Sequence, residues 1–145
     1  MRIDLDCARD VMLCAEENTG LHRSCYFLDY ALNAAAEFVG GVEETPSYQA
    51  ELEKKYANET LLYHLNYCIE AGLLTSSTPT GTYLTVISDL TPKGHEFLAN
   101  IRNQNVWAKV RGLARKAGST GIDFVIEIAK VVSVEAAKSI LLTGQ

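Results

Sequence analysis

The stretch YHLNYCIEAGLLTSSTPTGTYLTVISDLTPKG, residues 63–94, decides the fold. Its first part continues a helix predicted over 58–71, for which Asn58 is a good N-cap. Apolar side chains recur on one side of this helix every three or four residues: Leu61, Leu62, Leu65, Cys68 and Ile69. Gly72 then stands where helices commonly end on a left-handed residue. This part therefore predicts an amphipathic helix with a sharp stop.

The second part of the stretch predicts a β-hairpin and another helix. The runs LLTSS (73–77) and TYLTVIS (82–88) flank the turn residues TPTG. Thr91 suits an N-cap and Pro92 the first helical position. This order of elements is the layout of a winged helix. We therefore predict an α+β, mostly helical protein: a winged helix-turn-helix with a short β-hairpin wing and extra C-terminal helices. A short α+β enzyme domain is the alternative.

The N-terminal part is predicted in less detail. Residues 4–17 have helical periodicity, and Asp4 or Asp6 suits the helix N-terminus. Residues 21–57 are treated as a divergent insert in a winged-helix-like domain that spans 1–104.

Three segments make up the central part of this insert. YFLDYALNAAAEFV (26–39) has helical composition, and EETPSYQ (43–49) is typical of a surface loop. ELEKKYA (51–57) fits either a short strand or a helical turn, and the sequence does not decide between them.

Residues 105–145 are predicted to form a C-terminal helical extension that packs on the first domain or forms an oligomer interface. Its first helix, 105–117, stops at Gly118. Five side chains of this helix are expected to face inward: Val106, Trp107, Val110, Leu113 and Ala114. Thr120 and Asp123 have the spacing of a capping box at the start of the next helix.

The last predicted helix, about 121–142, is apolar over most of its circumference. Its polar stripe is formed by Asp123, Glu127, Lys130 and Lys138. A helix of this kind is expected to be buried on more than one side, at the centre of the fold or in a homodimer interface. Its β-branched run, VIEIAKVVSV, also leaves a strand over part of it open.

Composition indicates a soluble globular chain with one core: 145 residues, 48% hydrophobic and 21% charged. No apolar run is long enough for a membrane span, and the N-terminus lacks the apolar run of a signal peptide. The four cysteines follow no metal or disulfide spacing, so free thiols in a reducing cytoplasm are expected.

Charge is unevenly distributed along the chain. Residues 1–60 hold 12 acidic and 5 basic side chains, whereas residues 93–118 hold six basic side chains against Glu96 alone. An acidic chain is a poor prior for nucleic-acid binding, but a local basic segment can supply phosphate contacts. The solvated side of an ordinary helix is the competing interpretation.

His95-Glu96 is the only His-Glu dipeptide in the chain. Adjacent helical residues point about 100° apart, so they do not converge on one ligand. A zinc protease would need a second His four residues away, which is missing. We therefore predict structural roles, with His95 half-buried near the wing and Glu96 favourable near the helix N-terminus.

His64 and Cys68 have metal-capable spacing, four apart on one helix. Cys14, His22 and Cys25 could be proposed as partners, but their spacing fits no familiar site. Cys68 lies on the apolar side and is expected to fill the core. The sequence also lacks a Gly-rich phosphate loop and any Ser-His-Asp arrangement. We therefore predict no metal, no cofactor, no catalytic residues and no enzyme.

The remaining candidate is the polar side of the 58–71 helix, which would enter the major groove in a winged-helix DNA binder. Asn66 could read adenine, while Thr60, Tyr63 and Tyr67 could contact phosphate or thymine methyl groups. Five cations are predicted to hold phosphates: Arg102, Lys109, Arg111, Arg115 and Lys116. The alternative is a protein-contact patch around the two tyrosines, because tyrosine is enriched at interfaces.

Four segments carry a resemblance to a known family: RIDLDCARDVML (2–13), YHLNYCIEAGLL (63–74), LTPKGHEFLANIRNQNVWAKV (90–110) and LARKAGSTGIDFVIEIAK (113–130). The chain resembles a small-protein family common in phages and prophages, the domain of unknown function twenty-five-thirteen. The resemblance implies a winged-helix-like fold and a mobile-element origin, and it implies no activity. Combined with the residues, it predicts a cytoplasmic DNA-binding regulator, with a protein-interaction module as the alternative.

Overall fold

A computed structural model describes residues 1–36, 44–78 and 81–143. The elements follow in this order: α1 (Leu5–Asn18), β1 (Cys25–Leu28), α2 (Tyr30–Ala36), α3 (Ser47–Leu52), α4 (Asn58–Glu70), β2 (Leu74–Ser76), β3 (Leu84–Leu90), α5 (Pro92–Ile101), α6 (Gln104–Ala117) and α7 (Ile122–Leu142). The protein is therefore α+β and mostly helical, as predicted.

The chain divides into two compact units, Met1–Gly94 and His95–Gln145, called unit 1 and unit 2 below. Unit 1 contains the three strands and the first four helices, and the division falls inside α5. The predicted domain boundary follows residue 104, at the start of α6, and so lies further along the chain than this division. It stays a prediction.

The C-terminal end of α4 is closed by a Schellman motif. Gly72 has the left-handed φ of 77°, its N–H donates to Ile69 O, and the Leu73 N–H donates to Cys68 O. These bonds satisfy the last carbonyls of the helix and turn the chain into β2. The predicted helix stop at Gly72 is confirmed.

Thr91 ties the start of α5 to this same turn. Its hydroxyl accepts from Gly94 N at 3.0 Å and donates to Gly72 O, while its own N–H donates to Leu73 O. Lys93 Nζ adds a bond to Ala71 O at 3.2 Å. The predicted N-cap is therefore confirmed, and the same residue joins both ends of the hairpin.

Gly94 is required by this close approach. A Cβ built at Gly94 would overlap the carbonyl group of Leu73, which is backbone and cannot move aside. The glycine of the LTPKG sequence therefore lets α5 pass directly against the turn that ends α4.

We expect Gly94→Ala to destabilise the protein. The steric clash costs about 1–3 kcal/mol or more, whereas replacing a helical glycine by alanine gains at most about 1 kcal/mol. Gly112→Ala is the matched control, because Gly112 is also helical and a Cβ there meets nothing within 4 Å. Urea unfolding should show the control equal to or more stable than wild type. Equal stability of the two variants would contradict the close approach.

The sheet in unit 1 is antiparallel, with strand order β1-β3-β2. β1 pairs with β3 from Cys25↔Ile87 to Leu28↔Leu84, and β2 pairs with β3 from Leu74↔Leu90. Helix α1 packs against α4 and β3. The predicted hairpin is confirmed in β2 and β3; residues 79 and 80 of its turn lie outside the described residues.

Strand β1 corrects the helix predicted over 26–39. Residues 25–28 are extended, and helix α2 begins only at Tyr30. The Phe27 and Leu28 side chains are buried, so tertiary burial and pairing with β3 outweigh helical propensity. Residues 37–39 of the predicted helix lie outside the described residues.

The outer edge of β1 is closed by side chains from α3. Tyr48 Oη accepts from Tyr26 N at 2.8 Å and donates to Tyr26 O at 2.6 Å. Gln49 repeats this two residues further along β1: Oε1 accepts from Leu28 N at 2.8 Å and Nε2 donates to Leu28 O at 2.9 Å. The two side chains act as a fourth strand would, by satisfying an edge that otherwise exposes backbone groups.

Two interpretations of the 43–58 region are corrected. Residues 47–49, predicted as part of a surface loop, form the first half of helix α3, and Gln49 is fully buried. Asn58 is the first residue of α4 rather than its N-cap, which is Ala57. The side-chain amide of Asn58 instead donates to Leu28 O and Glu53 Oε2 and accepts from Tyr30 N. ELEKKYA completes α3 and continues as turns.

We expect Gln49→Ala to lower the free energy of unfolding by roughly 2–4 kcal/mol, because it leaves the buried Leu28 N–H without its acceptor and opens a cavity. Leu28 O keeps its bond from Asn58. Gln104→Ala is the control, since Gln104 is exposed at the start of α6. If thermal melts show the two variants to be equally stable, the side chain of Gln49 does not hold the edge of β1.

In unit 2, helix α6 packs along α7. The buried side of α6 consists of Trp107, Val110 and Ala114, and that of α7 of Val125, Ile126, Ala129 and Val132. Asn103 caps α6 through its side chain, and Gly118 ends it with a φ of 72°. The predicted stop at Gly118 is confirmed.

Three predictions for unit 2 are corrected. Leu113 is 39% exposed rather than inward, because it lies beside the contact with α7. The N-cap of α7 is Gly121 rather than Thr120, and a glycine has no side chain to cap the helix, so Thr120 does not begin a capping box. Residues 122–142 are helical throughout, without a strand. Within the single chain α7 is buried on one side, and the homodimer interface predicted for it stays a prediction.

Candidate nucleic-acid interface

Helix α4 presents its polar side away from the core of unit 1. Leu61, Leu65 and Cys68 are fully buried, while Tyr63 is 40% exposed and Asn66 is exposed. Thr60 and Tyr67 are half-buried at the margins of this side. We call these four residues (Thr60, Tyr63, Asn66 and Tyr67) the α4 face. The helical periodicity that predicted it is confirmed.

The charge around the α4 face is negative. Glu59 and Glu70 are exposed on the same helix, and α4 contains no lysine or arginine. Asn66 has hydrogen-bonding groups suited to adenine, but the two carboxylates repel phosphates. The α4 face by itself therefore suits a neutral or cationic partner better than a duplex.

Four of the five predicted phosphate contacts lie on α6. Lys109, Arg115 and Lys116 are exposed, and Arg111 is half-buried. We call these four residues the α6 cationic face. They lie outside the side that packs on α7, and the helix contains no acidic residue. Arg102, the fifth, is exposed just before α6.

Local interactions favour this cationic face. Arg115 and Lys116 lie in the last turn of α6, where the helix dipole stabilises positive charge. The Arg111 guanidinium lies 6.0 Å from the centre of the Trp107 ring, within the range of a cation–π contact. Arg111 therefore also supports packing, and Arg115 and Lys116 are better probes of binding.

Two amide side chains on the same helix were missed by the sequence prediction. Gln104 and Asn105 are exposed in the first turn of α6. Asn105 lies four residues before Lys109, so the two share one side of the helix. This four-residue spacing is the sequence signal that could have identified Asn105 as part of the same surface. Asn105, Lys109 and Glu135 border an open groove of about 400 Å³ between α6 and α7.

The two units differ in net charge. Unit 1 has six Lys/Arg against fourteen Asp/Glu, a net charge of −8, and unit 2 has seven against four, a net charge of +3. The α4 face thus belongs to an acidic unit, and the predicted phosphate contacts all belong to the basic one.

His95 and Glu96 are both exposed on α5. His95 is therefore not half-buried as predicted, because the buried side of α5 is formed by Phe97, Leu98 and Ile101.

His64 is fully buried, and both ring nitrogens are used. Nε2 accepts from Asp4 N at 2.7 Å, and Nδ1 faces Thr60 O at 2.8 Å and so carries the proton. Neither nitrogen offers a free lone pair to a metal. Asp4 is the N-cap of α1, so His64 joins the start of that helix to α4.

The four cysteines are free and buried. Burial raises the pKa of Cys7, Cys14 and Cys68 to about 12 and that of Cys25 to about 11. These thiols stay protonated at neutral pH, which makes them poor nucleophiles and metal ligands. Among the described residues, no group of three His, Cys, Asp or Glu side chains could hold a metal ion.

A second groove, of about 560 Å³, lies between α1 and α3. Asp10, Glu17 and Glu51 give it an acidic lining, and Lys55 Nζ lies 3.7 Å from Asp10 Oδ2. It is open, and the described residues that line it include no convergent catalytic group.

None of the helices in residues 1–36, 44–78 and 81–143 has the length and hydropathy needed to cross a membrane.

The fold and surfaces define a class: a small α+β protein with a three-stranded antiparallel sheet, an acidic N-terminal unit and a basic helical unit. The family model described as "Hypothetical protein (DUF2513)" matches residues 2–120, so the chain belongs to that family. This confirms the resemblance read from the four sequence segments. No curated protein and no solved structure matches the chain.

Proposed function

We propose that the protein binds double-stranded DNA and that the α6 cationic face supplies the phosphate contacts. The observation that carries this proposal is charge segregation: residues 97–122 contain five cations and no acid in a chain of net charge −5. Phosphate contacts by Lys and Arg supply most of the sequence-independent affinity of DNA-binding proteins.

The topology of unit 1 supports a winged-helix arrangement. Its elements follow the order helix, strand, helices, strand, strand, and β1 pairs with β3 beside β2. Helices α3 and α4 are separated by the short segment 53–57, as in a helix-turn-helix, and β2–β3 is the hairpin that would serve as the wing. The proposed class is therefore a winged-helix DNA-binding regulator. The cytoplasmic location and the mobile-element origin remain predictions.

The first test measures duplex binding by fluorescence anisotropy at 50 and 200 mM salt. Arg115→Ala/Lys116→Ala should weaken binding and lower the salt slope of log K by about 2, one for each phosphate contact. Arg2→Ala/Arg23→Ala is the matched control, because it removes two exposed cations from the acidic unit 1, outside α3, α4 and the segment between them.

The control should bind like wild type. Failure of wild type to bind at low salt would overturn the proposal. Equal weakening by both double variants would show that only net charge matters and would also overturn the assignment to α6.

A second candidate is protein recognition through the α4 face, without a DNA role. The observation that favours it is the exposed Tyr63, whose ring packs edge-on against His64 at 5.5 Å, between the exposed Glu59 and Glu70. A fixed aromatic ring with carboxylates nearby suits a partner with a basic surface.

Asn66→Ala separates base reading from protein contact. Wild type would first select a preferred duplex from a random pool. If α4 reads bases, the variant should bind that duplex about 1–3 kcal/mol more weakly and random duplex unchanged. Ser24→Ala, at an exposed site outside α4 and the β2–β3 hairpin, is the control. An unchanged preference in Asn66→Ala would exclude base reading by Asn66 and favour the protein-contact candidate.

A further inference from the structure

Helix α7 carries an exposed apolar stripe opposite the side that packs on α6. Phe124 is 42% exposed, Val131 61%, Val134 52% and Leu141 78%. The buried residues Val125, Ala129 and Val132 lie on the other side of the same helix. Exposure of this extent along one line is unusual for a monomer and marks an interaction surface.

The spacing along this stripe is that of a coiled-coil seam. Six exposed residues alternate steps of three and four: Phe124, Glu127, Val131, Val134, Lys138 and Leu141. We call them the α7 seam. From Phe124 to Leu141 the seam is about 26 Å long, at a rise of 1.5 Å per residue. Each of its six residues would occupy one layer of a contact with another helix.

The α7 seam is complementary to a second copy of itself that runs in the opposite direction. About a point between Val132 and Ser133, Phe124 is matched with Leu141 and Val131 with Val134. The same operation matches Glu127 with Lys138, opposite charges at equal distances from the centre. In the heptad abcdefg, three seam residues take position a (Phe124, Val131 and Lys138) and three take position d (Glu127, Val134 and Leu141). Each of the three pairs therefore joins position a to position d, as the layers of an antiparallel coiled coil do.

We propose that two copies of this chain associate through antiparallel pairing of their α7 seams about a two-fold axis. In such an interface residue i of one copy meets residue j of the other, and j meets i. The contact therefore contains two Phe124–Leu141 layers, two Glu127–Lys138 layers and a central pair of Val131–Val134 layers. Charge complementarity selects a second copy as the occupant.

A parallel pairing is disfavoured by the same residues. It would place Glu127 against Glu127 and Lys138 against Lys138, like charges that destabilise the layers they occupy. Within one helix Glu127 also contacts Lys130 at 3.2 Å, but both side chains are well exposed, 69% and 46%. That pair is weak and can be exchanged for the interchain partner.

Sedimentation equilibrium over a concentration series tests the pairing with charge swaps. Glu127→Lys and Lys138→Glu should each weaken self-association by about tenfold or more, because each turns both opposite-charge layers into like-charge layers. The double swap Glu127→Lys/Lys138→Glu should restore it. Glu17→Lys, the same charge change at an exposed site in unit 1, should leave self-association unchanged.

Mixing the two single variants gives an independent readout. One chain then has lysine at both positions and the other has acid at both, so the mixture should form a heterodimer that neither forms alone. Circular dichroism confirms that each variant stays helical. A monomer at all concentrations for wild type overturns the proposal. Single swaps that associate like wild type overturn the antiparallel register. Neither result depends on DNA binding.

Discussion

The structure of unit 1 depends on one closure, the tie between the end of α4 and the start of α5. The Schellman bonds at Gly72 and Leu73 reverse the chain, and the Thr91 hydroxyl returns to Gly72 O from the far end of the hairpin. Gly94 lies where α5 contacts the Leu73 carbonyl, and the contact is possible because glycine has no side chain. Because both ends of the hairpin are held at one point, β2 and β3 must run antiparallel between them. The direction of α4, and thus of its polar side, follows from the same closure.

The second constraint is the edge of β1, which no sequence pattern revealed. Tyr48 and Gln49 lie in a polar segment that composition assigns to a loop, yet they bond backbone groups more than twenty residues away. Periodicity reports which side of an element is apolar, and it cannot show that a buried amide replaces a missing strand. Asn58 was misjudged for the same reason: a good N-cap residue is used instead for tertiary bonds to Leu28 and Tyr30.

Local signals of high specificity were enough to predict much of the fold. Gly72, Thr91, Pro92 and Gly118 each lie where their backbone preferences place them, and the hairpin between them is confirmed. The candidate surfaces were predicted to a similar extent. Tyr63 and Asn66 of the α4 face are exposed and its other two residues are half-buried, and the cations of α6 are exposed apart from the half-buried Arg111. The composition of α7 alone left two roles open, the centre of the fold or a homodimer interface. Its wide apolar surface suggested burial on several sides, whereas one side is buried against α6 and the opposite side stays exposed.

The two proposed contacts of unit 2 are compatible because they use different sides of its two helices. Helix α6 packs on the side of α7 formed by Val125, Ala129 and Val132, and the α7 seam lies on the opposite side. A two-fold pairing of seams would therefore leave both α6 helices on the outside, with their cations exposed. Two cationic faces on one particle raise affinity for a polyanion without any new contact, provided that both can engage it. Self-association through α7 would thus strengthen phosphate binding by α6, although each can be removed separately by substitution.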